Sequence, residues 1–143
     1  MIEKQDMGKE TEDAEVQPRY FIDLSWYGEQ ERTFVTLAAS RLCPASHGKE
    51  TLKSETALLN TIKECCSKRE RFVTPNMPLL EIIFRTFLAN GNRPLSLEQL
   101  QAKLQQWMSD SSSPRDLSLR RLQRIINNDN YYGLRPAPDN DLE

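Results

Sequence analysis

Two sets of residues in this chain have the types and spacing to do chemistry. The first is Cys43-x-x-x-His47, with Cys65-Cys66 about 18 residues further on. Thiolate sulfur and imidazole nitrogen are the donors that zinc takes. The spacing argues the other way, because zinc sites draw on paired knuckles such as C-x-x-C, and the position that would complete Cys43-Pro-x-Cys is Ser46. Neighbours on a helix also diverge by about 100°, so Cys65 and Cys66 reach one tetrahedral ion only if the helix ends there. The set therefore reads as cofactor-free. Cys65 and Cys66 are small buried hydrophobes and His47 is a loop residue, with zinc on Cys43, His47, Cys65 and Cys66 as the alternative. Three cysteines cannot all pair within one chain, and a bridge between neighbours is strained. With an acidic rather than basic and apolar N-terminus, this places the thiols in a reducing compartment, the cytoplasm.

The second set is Arg115, Arg120, Arg121, Arg124 and Arg135 with Asn127 and Asn128. From Arg115 to Arg135 the five arginines are set against Asp116 and Asp129 only, a net of +3, and no lysine is present. Guanidinium forks and side-chain amides suit phosphates and base edges, and guanidinium suits carboxylates on a protein equally well. The same segregation runs through the whole chain, whose net charge is -2. Met1–Pro18 sets Lys4 and Lys9 against Glu3, Asp6, Glu10, Glu12, Asp13 and Glu15, leaving -4. Pro136–Glu143 adds Asp139, Asp141 and Glu143, leaving -3, so the stretch between carries +5. A basic body with acidic ends fits a polyanionic or acidic partner, while the pI of 5.6 argues against strong non-specific DNA affinity.

Catalysis lacks its parts. His47 is the only histidine, and no G-x-S-x-G, phosphate-cradling glycine loop or H-E-x-x-H occurs among residues that include five glycines. A Cys43 nucleophile beside His47 would have no third group to orient it. No apolar run approaches the ~18 residues of a membrane span. The expectation is a binding protein, not an enzyme, with DNA or another protein as partner and no membrane.

The elements that must position these residues follow from periodicity. Residues 1–18 and 139–143 are polar acidic tails with too little apolar surface to order. From Tyr20 to Trp26 apolar residues alternate as in a strand, and Glu29–Leu42 has helical spacing at Phe34, Leu37, Ala38 and Leu42. Ser54 is placed to cap a second helix bearing Leu58, Leu59, Ile62, Cys65 and Cys66 on one side. Leu79, Leu80, Ile83, Phe84, Phe87 and Leu88 predict an amphipathic helix stopped by Gly91, and Ser96-x-x-Gln99 is a capping box for the next, through Trp107 and Met108. Leu119, Leu122, Ile125 and Ile126 form the apolar side of a helix over 117–128, with Arg120, Arg121, Arg124 and Asn128 opposite. Asn130 to Arg135 then reads as an aromatic strand.

Three short helices and a strand closing in Tyr-Gly-Leu, carried by PLLEIIFRTFLANGNRPLSLEQLQAKL and YYGL, resemble the HARE-type and related winged-helix domains over about 60 residues, Met77 to Pro136. The resemblance implies that the third helix is the recognition helix of a DNA-binding module. It also implies a basic hairpin wing, for which Tyr132 to Pro138 leaves room for only one strand and Arg135. Such a truncated wing suits a protein-docking module. The fold expected is mainly α, a winged-helix-like unit over 75–138 with short strands, and a strand and two-helix extension over 19–74.

Overall fold

Residues 18–43, 54–108 and 115–138 are described by a computed structural model. They form, in order, β1 (Arg19–Ile22), α1 (Leu24–Glu29), α2 (Phe34–Ala39), α3 (Glu55–Glu64), a 3₁₀ turn (Cys66–Lys68), α4 (Leu79–Ala89), β2 (Leu95–Ser96), α5 (Leu97–Trp107), α6 (Leu119–Asn127) and β3 (Leu134–Pro136). The fold is mainly helical with one small antiparallel sheet, as expected. The expected acidic tails, Pro18 apart, lie outside the described residues.

Helix α4 is the hub. Ile82, Ile83, Phe84, Phe87 and Leu88 are fully buried, because neighbours cover it on more than one side. It packs against both α3 and α5, and α5 packs in turn against α6. Pro78 stands at its N-cap, where a missing N–H costs nothing. Gly91 and Asn92, at φ of 70° and 61°, turn the chain out of the helix. The capping box starting α5 is present: Gln99 N–H donates to Ser96 Oγ at 3.2 Å and Ser96 N–H to Gln99 Oε1 at 2.9 Å.

The sheet order is β2-β1-β3, all neighbours antiparallel. The strand read as part of an N-terminal extension is thus the middle strand between two strands of the C-terminal half. Tyr20 and Ile22 point from it into the core, and Ile22 is opposite Leu134. β2 is too short to reach Ile22, and the Asn92 amide takes its place: Ile22 N–H donates to Asn92 Oδ1 at 2.8 Å, and Asn92 Nδ2 donates to Ile22 O at 2.9 Å. Pro136 ends β3 on the sheet's edge, where a strand tolerates proline.

Three expectations are corrected in the N-terminal half. The strand stops at Ile22, because Asp23 accepts from Ser25 N–H at 3.1 Å and caps α1, which runs through Trp26 and Gly28. The single helix expected over 29–42 is only α2, restarted by Thr33 accepting from Thr36 N–H after Glu31 takes φ 57°. Helix α3 begins at its Ser54 cap as expected but ends at Glu64, ahead of both cysteines.

Candidate functional site

Helix α6 presents its arginines because its other side is needed for the core. Ser118 caps it, accepting from Arg121 N–H at 3.4 Å, and Leu122 and Ile126 are buried beneath. Arg120, Arg121, Arg124, Asn127 and Asn128 are all exposed. At 100° per residue these five fall within about 120° of arc. Among the described residues, no acceptor or carboxylate meets the guanidinium groups of Arg120, Arg121 and Arg124. The carboxylate beside them is Asp116, which feels Arg121 and Arg124 through space without pairing to either. It is held below the usual carboxylate range chiefly by the Ser118 backbone N–H, at 3.0 Å.

The outer two arginines of the predicted set are not on this face. Arg115 clamps the turn before α4, donating to the carbonyls of Pro75, at 2.8 Å, and Met77. Arg135 donates to the carbonyls of Asp129 at 3.0 Å and Leu134 at 2.7 Å, lies 3.8 Å from the Asp129 carboxylate and sits over the Trp26 ring. Their hydrogen-bonding capacity goes to holding the fold.

Two acidic residues that the sequence did not single out organise the surroundings. Asp129 is buried and accepts the backbone N–H groups of Tyr131, Tyr132 and Leu134, so it builds the turn leading from α6 into β3. The expected strand over Asn130–Tyr132 is replaced by this turn, leaving Tyr131 48% exposed and Tyr132 partly buried. Glu81 accepts from Arg41 at 2.9 and 2.7 Å, Arg85 at 2.7 Å and the Tyr132 hydroxyl at 2.7 Å. Burial pushes the Glu81 carboxyl up, but the bonds from Arg41, Tyr132 and Arg85 outweigh it and bring its pKa down to about 2. Burial, then Glu81, pushes the Tyr132 phenol well above its ordinary value. An acidic residue at i and an arginine at i+4 on a buried helix, Glu81 and Arg85, is the one local signal that was available.

The cysteines converge. The sulfur atoms of Cys43, Cys65 and Cys66 lie within 4.8 Å of one another, and the helix bearing the last two ends just before them. His47 lies outside the described residues. Compared with family models, curated proteins and solved structures, the chain matches none.

Proposed function

We propose that this chain is a non-catalytic recognition module that binds duplex DNA through the exposed face of α6. Arg120, Arg121 and Arg124 would contact phosphates and guanine edges, with Asn127 and Asn128 extending the same surface. The observation that carries the reading is the contrast among arginines. Arg41, Arg85, Arg115 and Arg135 are each bonded to the protein's own oxygens, while the three on α6 are exposed and meet no acceptor among the described residues. The run α4, β2, α5, α6, β3 agrees with the order that the winged-helix resemblance implies, with α6 in the place of the recognition helix. Residues 134–136 pair with β1 from the other half of the chain, so the reading assigns contact to α6 and none to a wing. A charge-driven surface is also favoured over an apolar docking surface, because Tyr131 is the one large hydrophobic side chain exposed among the described residues.

The test is fluorescence polarisation with labelled duplex and single-stranded DNA. Substituting Arg120, Arg121 and Arg124 together by alanine should weaken duplex binding about a hundredfold or more, given ~1–3 kcal/mol per specific arginine contact, with the circular dichroism spectrum unchanged. Equal affinity of wild type and the triple variant contradicts the reading. A nuclease-insensitive protein partner, unaffected by the three substitutions, would put docking in its place.

A further inference from the structure

The cysteine cluster has the geometry of a metal site that the spacing of the sequence conceals. Cys43 follows α2, Cys65 stands at the C-cap of α3, and Cys66 opens the 3₁₀ turn. The sulfurs of Cys43 and Cys65 are 3.7 Å apart, and all three lie within 4.8 Å. A tetrahedral ion with metal–sulfur bonds of about 2.3 Å holds its sulfurs about 3.8 Å apart. The divergence of neighbouring cysteines, which weighs against the site on a continuous helix, is removed by the backbone. Cys65 adopts φ -122° and ψ -63°, outside the helix, so its side chain and that of Cys66 turn to a common point with Cys43.

The surroundings fit thiolates. None of the three sulfurs is in a disulfide, and a bridge could in any case engage only two of them. Cys66 is fully buried and Cys43 nearly so, while Cys65 is partly exposed, so the cluster is sheltered with one side open. The Cys43 N–H donates to the Cys66 sulfur at 3.1 Å, the outer-shell bond that orients and stabilises a metal-bound thiolate. The adjoining cleft, of about 590 Å³, is lined by Lys68, Arg69 and Arg71 with Glu70 as its one carboxylate. Arg69 reaches 3.9 Å from the Cys65 sulfur. Three thiolates around a divalent ion carry a net charge of -1, which this basic rim offsets.

We propose that Cys43, Cys65 and Cys66 form a three-thiolate site for a thiophilic divalent cation of the zinc class. The fourth position is open to a ligand from outside this trio. Binding exchanges three thiol protons for one ion, each sulfur lone pair going to the metal and the protons to solvent. The ion joins the exit of α2 to the end of α3, a clip that owes nothing to the arginine face of α6.

The test uses the full chain purified under reducing conditions without chelator. Plasma mass spectrometry should find about one zinc per chain. Cobalt(II) added to metal-free protein should give the thiolate-to-cobalt charge-transfer band and the visible bands of a tetrahedral centre, saturating at one equivalent. Cys65→Ser, at the partly exposed position, should fold by circular dichroism yet bind cobalt at least tenfold more weakly and lose the zinc-dependent rise in Tm. Cys43→Ser should behave alike, so the test stands even if Cys66→Ser fails to fold. Reduced, folded wild type that takes up neither zinc nor cobalt overturns the proposal. So does undiminished uptake by Cys65→Ser, or a protein that forms only a Cys43–Cys65 disulfide.

Discussion

Gly133 shows how one residue can be legible for the wrong reason. It belongs to the Tyr-Gly-Leu signature, but the fold needs a glycine there because of residues at the other end of the chain. Its φ is +80°, and an added Cβ would lie 2.9 Å from both the Trp26 and Tyr27 rings. Its carbonyl accepts the Asp23 N–H at 2.8 Å, which fixes that approach. Gly133→Ala should therefore cost about 2–4 kcal/mol in chemical denaturation, combining left-handed backbone strain with overpacking. Glu81 makes the fold sensitive to acid. Its folded pKa, about 2, lies below the ordinary 4.5, so it stabilises the fold above about pH 4.5, and that contribution is lost as pH falls toward 2. The amount at stake is on the order of 3 kcal/mol. Glu81→Gln should be less stable at neutral pH and should flatten the loss of stability between those limits, measured by urea unfolding. Its partners Arg41 and Tyr132 lie 40 and 51 residues away, so no local pattern announces them.

At the scale of elements, α4 and α5 were legible because each is long enough to show a helical period and each has a recognisable start, Pro78 or the Ser96–Gln99 box. α1 and α2, six residues each, are shorter than two turns, and a period cannot declare itself there. The alternation of Tyr20, Ile22, Leu24 and Trp26 imitates a strand in sequence, and the Asp23 cap tells otherwise. The end of α3 was equally hidden, and with it the meeting of the cysteines. Sheet pairing was not readable either, since β1 joins partners more than 70 residues away. Asn92 is the piece that completes this joint. Asn92→Ala removes both bonds to Ile22 and leaves a residue that dislikes φ 61°. It should destabilise the protein by about 1–3 kcal/mol, and hydrogen exchange should show the Ile22 amide losing protection before those of α4.

For the molecule as a whole, the separation of charge is the organising fact. Described residues near the two ends of the sequence meet, the Ala137 N–H donating to the Arg19 carbonyl at 2.7 Å, while in the sequence the stretches before and after them carry -4 and -3. Between them lies a basic body in which Arg32, Arg41, Arg85, Arg115 and Arg135 bond the protein's own oxygens and those of α6 do not. Arginine counts alone exposed the excess but could not sort the clamps, Arg115 and Arg135, from the outward trio. Burial and carbonyl partners make that distinction. If α6 grips phosphates, the grip must weaken with salt in proportion to the counterions it releases.

The most direct measurement is the affinity for duplex DNA as a function of salt, taken in parallel for wild type and for the protein with Arg120, Arg121 and Arg124 changed to alanine. With one to three of these arginines on phosphates, at about 0.9 counterion each, the logarithmic salt slope should be shallower by about 1–3 in the variant. Two lines of the same slope and the same affinity would contradict the account.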